Sequence, residues 1–219
     1  MATQSKPQPF EDRNFFPGLR DCPDVYGLHG RSFRDVDPDD LDRPGVHRKH
    51  WCILGEIVQL DSFIDPGIVF KDYKGDKFTI SLYVNNESDE SEKTRLLKHF
   101  KVGNTMAIFY PQKEFFVRKP IGMRAKDSDK VLIMPLKMSE VVAMNKEVVK
   151  YTPADDDAPR KCHGCNEVKE KLGKCGGCGL FFYCNTKGHK KFCKVLKDKN
   201  VRYMHFLNYG VHSGDITFS

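Results

Sequence analysis

Six of the eight cysteines in this 219-residue chain lie between Cys162 and Cys193, in the segment CHGCNEVKEKLGKCGGCGLFFYCNTKGHKKFC. The segment contains two C-x2-C pairs, followed by Cys184, His189 and Cys193. Zinc takes four ligands in a tetrahedron, and a C-x2-C turn presents two thiolates to one ion. A polar segment this short has little apolar material to pack, so metal must supply its folding energy. The sequence therefore predicts a zinc module.

One zinc ion could be bound by the two C-x2-C pairs alone. This sequential scheme uses four thiolates, those of Cys162, Cys165, Cys175 and Cys178. It leaves the His-x3-Cys pair from His189 to Cys193 unexplained. The sequential scheme therefore stays open as the one-ion alternative.

The order of these motifs resembles a known family. The two C-x2-C pairs, Phe182-Tyr183-Cys184 and the H-K-x2-C ending look like the MYND-type zinc finger, over about residues 162–193. The resemblance implies two interleaved zinc sites and a role in docking short peptides. One site would use Cys162, Cys165 and Cys184. The other would use Cys175, Cys178, His189 and Cys193.

The chain departs from the family pattern after Cys184. The family usually has a further cysteine and several more residues before the histidine, whereas four residues separate Cys184 from His189 here. Seven ligands therefore remain for two ions, and the first site has three thiolates. His163 directly follows Cys162, which makes it an awkward donor, and we expect it to be exposed. Glu167 and Glu170 are interpreted as surface residues of the loop.

Elements with β patterns precede the module. WCILGEIVQLD, IVFKDY and KFTISLYV predict three strands, the last two joined by the turn KGD, and TMAIFY, EFFVR and VLIMPL predict three more. In KFTISLYV the apolar side chains alternate with polar ones. A short helix with Ser91 as its N-cap is expected before Phe100, and a closing helix, MSEVVAMNKEVV, is expected to be capped by Ser139.

This order of strands and helix resembles the OB fold over roughly residues 50–137. The predicted fold class is mostly β with short helices (α+β), an OB-like barrel with a small C-terminal two-zinc module. An SH3-like barrel and a small α+β domain are the alternatives. Five segments are expected: an irregular N-terminal arm (1–48), the barrel (49–150), an acidic linker (151–160), the finger with its terminal helix (161–207) and a tail (208–219).

Charge is distributed unevenly along the chain. Residues 160–219 carry 12 Lys/Arg against 4 Asp/Glu, although the whole chain has a net charge of only +6. A basic rim on the finger suits acidic partners. The rim would consist of Lys187, Lys190, Lys191, Lys194 and Lys197. We therefore predict a protein-interaction adaptor that docks proline-containing or acidic peptides, through residues that the sequence does not identify.

Two other functional classes are less favoured. Nucleic-acid binding would use the OB-like barrel, the basic finger and stacking aromatics, but residues 50–150 are nearly neutral, with 16 Lys/Arg and 14 Asp/Glu. The aromatic candidates are Trp51, Phe70, Tyr73, Phe78 and Tyr83. No SET-type motif, Gly-rich phosphate loop or serine elbow indicates an enzyme. Without a membrane-length apolar run or signal peptide, we expect an intracellular protein of the nucleus or cytoplasm.

Overall fold

The computed structural model describes residues 6–22, 34–35, 46–60, 67–82, 98–116, 119–125, 127–153, 158–184, 190–214 and 216–218. Its strands are β1 (Arg34–Asp35), β2 (Val46–His47), β3 (Cys52–Leu60), β4 (Gly67–Asp72), β5 (Lys77–Leu82), β6 (Thr105–Phe109), β7 (Gln112–Phe116), β8 (Lys119–Ala125), β9 (Val131–Met134), β10 (Gly173–Lys174) and β11 (Phe182–Tyr183). Its helices are α1 (Met138–Tyr151), α2 (Lys190–Leu196) and α3 (Lys199–Phe206). The described chain is thus mostly β with few, short helices.

Seven strands form one sheet in the order β7-β8-β5-β4-β3-β6-β9. Strands β5 and β8 pair in parallel, and the other pairs in this sheet are antiparallel. Only Tyr110 and Pro111 separate β6, which pairs with β3, from β7, which pairs with β8. Tyr110 has a φ of 51°, in the left-handed region, where the strand bends. Strands β6 and β7 can thus be described as one bent strand that links the β3 side of the sheet to the β8 side. This arrangement is consistent with an OB-like Greek-key barrel.

The hairpin β4–β5 is predicted correctly by IVFKDY and KFTISLYV. Phe78 and Ile80 are buried while Thr79 and Ser81 are half-buried, which is the expected alternation. The turn between the strands places Gly75 at a φ of 87°. The buried carboxylate of Asp72 accepts the turn N–H groups of Lys74 at 2.9 Å and Asp76 at 3.0 Å.

The chain divides into two compact units, each built from separate stretches of sequence. We call Glu11–Met138 with Tyr209–Ser219 the barrel unit, and Met1–Phe10 with Ser139–Asn208 the finger unit. The expected segments, by contrast, are consecutive along the chain. In particular, most of α1 belongs to the finger unit rather than closing the barrel domain.

Both terminal segments of the barrel unit pack on its sheet. The backbone N–H of Cys52, at the start of β3, donates to the carbonyl of Phe15 at 2.9 Å. The ring of Tyr209 lies 5.0 Å from that of Phe16, and Phe218 contacts Phe109 edge-on at 5.6 Å. Residues 11–22 and most of the expected tail are therefore structural parts of the barrel. Cys22 is fully buried.

The start of the described chain packs within the finger unit. The backbone N–H of Phe10 donates to Asn145 Oδ1 at 2.8 Å, and Asn145 Nδ2 donates to the carbonyl of Gln8 at 3.0 Å. Gln8 N–H donates to the carbonyl of His205 at 3.0 Å, and the Phe10 and His205 rings lie 4.7 Å apart. This part of the expected irregular arm therefore bridges α1 and α3.

Several predicted elements differ from the described ones. Strand β8 was not predicted, and α1 begins at Met138, so Ser139 lies inside its first turn. Residues 98 and 99 are helical, but the rest of the helix expected after Ser91 lies outside the described residues, as do residues 154–157 of the linker. Tyr151 ends α1 and is buried, so the linker does not begin there.

Candidate metal centres

A β-hairpin orders the cysteine segment of the finger unit. Strands β10 and β11 pair antiparallel, with Gly173 opposite Tyr183 and Lys174 opposite Phe182. Cys175 follows β10 directly, and Cys184 follows β11 directly. The N–H of His163 donates to the carbonyl of Phe182 at 2.8 Å. The short hairpin thereby leads into the second C-x2-C turn at Cys175 and places Cys184 beside the first C-x2-C turn.

The first cluster consists of Cys162, Cys165 and Cys184, whose sulfur atoms all lie within 4.8 Å of one another. Cys184 Sγ is 3.5 Å from Cys162 Sγ and 3.8 Å from Cys165 Sγ. Cys162 is buried, whereas Cys165 and Cys184 are exposed. These are the three residues that the interleaved arrangement assigns to one ion.

The second cluster consists of Cys175, Cys178 and Cys193, again with all sulfur atoms within 4.8 Å. Cys175 Sγ lies 3.7 Å from Cys193 Sγ, which is carried by α2. His189, the fourth ligand expected here, lies outside the described residues. The two C-x2-C pairs thus belong to different clusters, and the sequential scheme would require them to converge on one ion.

The sulfur spacing fits zinc better than disulfides. Two sulfurs on one tetrahedral zinc, with Zn–S bonds of about 2.3 Å, lie about 3.8 Å apart. The three sulfur–sulfur distances given above are 3.5, 3.8 and 3.7 Å, and the remaining ones are within 4.8 Å. A disulfide bond is only about 2.05 Å long. Each cluster therefore offers three donors of the right chemistry and spacing for a zinc ion.

The two C-x2-C turns share one backbone geometry. Asn166 N–H donates to the carbonyl of Cys162 at 2.8 Å, and Gly179 N–H donates to that of Cys175 at 2.9 Å. Asn166 and Gly179, each directly after the second cysteine, have φ values of 65° and 69°. Left-handed backbone favours glycine and asparagine. The left-handed position in each turn is thus the residue directly after the second cysteine.

Gly177 is needed for close approach. A Cβ at this position would lie 2.7 Å from Cys193 Sγ and 3.6 Å from Cys175 Sγ. The neighbouring Gly176 has no heavy atom within 4 Å of the corresponding point. Gly177 therefore leaves room for the sulfur that α2 delivers to the second cluster.

Backbone N–H groups lower the pKa values of the cysteine thiols, whereas burial raises them. Hydrogen bonds from the N–H groups of Cys184, Cys165 and Gly164 lower the pKa of Cys162 to about 6. Burial opposes ionisation of Cys175, but hydrogen bonds from the N–H groups of Cys178 and Gly177 and from the thiols of Cys193 and Cys178 together lower its pKa. Burial raises the pKa of Cys178 to about 11. Thiolates are the metal-binding form, and N–H donors stabilise them.

His163 lies inside the finger unit instead of being exposed. Its Nε2 is 2.9 Å from Glu147 Oε2 on α1, and its side chain is only 14% exposed. Its ring lies 4.5 Å from the rings of both Tyr151 and Phe181. The Tyr151 hydroxyl also donates to the Asn166 side-chain oxygen. The end of α1 is thus fastened to the first C-x2-C turn, a contact that sequence reasoning missed.

The basic rim is described only in part. Lys194 and Lys197 are exposed, Lys187 lies outside the described residues, and nothing is described for the side chains of Lys190 and Lys191. Val168 and Tyr203 are exposed apolar side chains of the same unit, at 53% and 46%. Among the described helices, none is long and apolar enough to span a membrane.

Comparison with known proteins adds little to this geometry. No family model and no curated protein matches the sequence. A chain in the crystal structure of the S. pombe Stn1-ten1 complex is similar to this chain at 17% identity, with a TM-score of 0.31. The match covers 47% of this chain and 70% of that one. The description of the barrel as OB-like therefore depends on its strand order.

Proposed function

We propose that the chain is a zinc-binding adaptor whose finger unit, of the MYND type, docks short peptides of partner proteins. The carrying observation is the sorting of six cysteines into two clusters with zinc-like sulfur spacing. Each cluster draws two thiolates from one C-x2-C turn and a third from a distant residue. This is the interleaved division that the family resemblance implies.

Zinc has a structural role in this proposal. Residues 164–171 are all exposed, so this part of the first C-x2-C turn and its loop buries little apolar surface. Metal binding can provide the folding free energy that such a segment lacks. A loop held rigid in this way loses little conformational entropy on binding, which favours peptide docking. The finger would therefore present a small preformed surface.

Charge and exposed apolar groups indicate the kind of peptide. Lys194, Lys197 and Lys199 are exposed along α2 and the start of α3. Lysines at the rim of an interface attract acidic partners, and exposed apolar side chains such as Val168 and Tyr203 supply contact area. Proline-containing peptides with acidic flanks are the proposed ligands.

Nucleic-acid binding by the barrel and the basic finger remains the alternative proposal. Of its stacking candidates, Trp51 and Phe78 are less than 5% exposed, and Phe70 is fully buried. Tyr73 is half-buried beneath the Arg13 guanidinium, 3.4 Å from its ring centroid, and Tyr83 lies outside the described residues. Base stacking requires accessible rings, so the described aromatics favour the adaptor.

Zinc content is the first test. Native mass spectrometry of the full chain should show two zinc ions bound to the protein. A protein that binds one ion would fit either a finger with one of its two clusters empty or the sequential scheme. A finger unit that folds without any bound zinc would overturn the proposal.

Peptide binding is the second test. On an array of proline-containing peptides with acidic or neutral flanks, the full chain should bind the acidic set. The double variant Cys175→Ser, Cys178→Ser should lose this binding. Cys22→Ser is the matched control, because Cys22 lies in the barrel unit and its thiol donates to the carbonyl of Gly18 at 3.3 Å, which a hydroxyl can also do. Undiminished binding by the double variant would rule out docking by the finger.

A further inference from the structure

We propose that Glu167 is the fourth zinc ligand of the first cluster, which makes it a Cys3Glu site. This inference depends on the proposed binding of zinc. Three thiolates provide three of the four ligands that tetrahedral zinc requires. Carboxylates are established zinc ligands alongside thiolate and imidazole.

The neighbouring histidine is committed elsewhere. His163 Nε2 faces Glu147 Oε2 at 2.9 Å, and its ring is held between Tyr151 and Phe181. Its other ring nitrogen, Nδ1, is held in place by the same ring packing. Turning the ring toward the sulfurs would break both the polar contact with Glu147 and the aromatic contacts. His163 therefore positions α1 and is not the missing donor.

The backbone holds Glu167 beside the first cluster. Cys162 N–H donates to the carbonyl of Glu167 at 2.8 Å, and Lys161 forms an antiparallel bridge with Val168. Asn166, with its φ of 65°, reverses the chain directly before Glu167. The Cα of Glu167 is therefore fixed next to the residue that carries the buried sulfur.

The carboxylate already approaches the sulfurs. Glu167 Oε2 lies 3.7 Å from Cys165 Sγ. An oxygen and a sulfur bound to the same tetrahedral zinc, at about 2.0 and 2.3 Å, lie about 3.5 Å apart. The carboxylate is not within 4.8 Å of all three sulfurs, so coordination requires its side chain to rotate. That side chain is 67% exposed, which leaves room for the rotation.

Lys169 compensates for charge at the site. A zinc ion with three thiolates and one carboxylate carries a net charge of about −2. Lys169 Nζ lies 3.2 Å from Glu167 Oε2, on the same loop. A cation at this distance stabilises an anionic site and holds the carboxylate near the cluster. The loop 165–169 thus combines a donor and a counterion.

Cadmium-113 NMR of the full chain tests the assignment, because the chemical shift of bound cadmium responds to each ligand. Wild-type protein loaded with 113Cd should give two resonances, one coupled to the β protons of Cys162, Cys165 and Cys184. Glu167→Ala and Glu167→Gln should shift that resonance and leave the other in place. In chelator competition, both variants should bind zinc at this site about 10- to 100-fold more weakly.

Glu170→Ala is the matched control, because Glu170 is an exposed glutamate of the same loop. It should change neither resonance nor affinity. If neither Glu167 variant moves the first-cluster resonance, the Cys3Glu assignment is wrong while zinc binding stands. If the wild-type chain shows no cadmium coupled to cysteine protons, the proposed zinc function fails as well.

Discussion

Asn166 and Gly179 show which single residues the finger depends on besides its ligands. Each ends a C-x2-C turn in the left-handed region and donates to the carbonyl of the first cysteine in its turn. A β-branched side chain at either place would be strained. The turns therefore need a particular residue after the second cysteine as well as the cysteines themselves.

Gly177→Ala should weaken metal binding at the second cluster. The new methyl group would lie 2.7 Å from Cys193 Sγ, so the sulfur or the turn must move. We expect the zinc affinity of this site to fall at least about tenfold. Chelator competition followed by native mass spectrometry measures the loss.

Gly176→Ala is the control for that substitution, since its methyl group meets no atom within 4 Å. It should leave zinc affinity unchanged. Equal affinities for both variants would contradict the close approach of Gly177 to Cys193.

His205 should make the finger unit less stable in mild acid. The residue is fully buried, and burial lowers its pKa from 6.5 to about 4. Its Nδ1 donates to the carbonyl of Val201 at 2.8 Å. Between pH 6.5 and 4, His205 is protonated in the unfolded chain but neutral in the folded chain. The free energy of unfolding therefore falls as the pH falls. The loss between pH 7 and pH 5 should be about 2 kcal/mol.

Denaturant unfolding of His205→Phe at pH 7 and pH 5 measures this effect. The variant should lose about 2 kcal/mol less than wild type over this interval. Acid release of metal affects both proteins and cancels in the comparison. Tyr203→Phe, at an exposed position of the same helix, should behave as wild type. Identical pH profiles for wild type and His205→Phe would exclude the effect.

The candidate metal ligands could be predicted from their types and spacing, because a zinc ligand motif is local in sequence. The described cysteines are grouped as the family resemblance implies. The role of His163 could not be predicted, because its partners Glu147 and Tyr151 belong to α1 and lie outside the motif. A histidine beside a metal-binding cysteine is predicted to be exposed as long as the helix that covers it is not known.

Helices α2 and α3 show how a single N-cap residue can separate two helices that follow each other directly in the sequence. The run after Cys193 predicts continuation of one terminal helix, but the structure separates α2 from α3 at Lys197 and Asp198. Asp198 is the N-cap of α3, and its carboxylate accepts N–H groups from Asn200 at 2.8 Å and Val201 at 3.2 Å. The sequence contains the signal for a new helix at this point, since aspartate is among the preferred N-cap residues.

Asp198→Ala should destabilise the finger unit by about 1 kcal/mol, the usual cost of losing an N-cap. The substitution leaves two N–H groups of α3 without their acceptor. Denaturant unfolding of zinc-loaded protein measures the change. Asp198→Asn should remain near wild type because asparagine caps equally well. A similar loss in both variants would indicate a role for charge rather than capping.

Strand β8 was missed although the sheet depends on it. Pro120 and Gly122 argue against a strand, since both are depleted from strand interiors. Yet Met123 and Ala125 are buried while Arg124 between them is half-buried, a period-two pattern in the sequence. The parallel pairing of β8 with β5 cannot be read from either strand alone, because it depends on the bend at Tyr110.

At the scale of the whole chain, the two units are not consecutive segments of the sequence. Each unit combines stretches that are far apart in sequence, and the segments preceding and following the barrel strands return to it. The polar, proline-rich composition of residues 1–48 predicts an irregular arm, and residues 208–219 are expected to form a tail. The buried side chains of Phe16, Tyr209 and Phe218 show that isolated aromatics in polar segments can be core residues.

Removal of zinc should unfold the finger unit and spare the barrel unit. The barrel has its own buried core, which includes Ile53, Phe70 and Ile108, and contains neither cluster. Hydrogen exchange of the full chain with and without a strong chelator measures both units at once. Amides of β10, β11 and α2 should lose protection, while those of β3 and β6 keep it. Loss of protection in β3 would contradict independent stability of the barrel.

The hydrogen bonds and ring contact that join Gln8 and Phe10 to His205 affect how the protein can be made. These partners are nearly the whole chain apart, so residues at the start emerge from the ribosome long before the helix they contact. At about 5–20 residues per second, that interval is about 10–40 s. During synthesis Phe10 is an exposed aromatic side chain, and a nascent-chain chaperone has time to bind it before α3 exists.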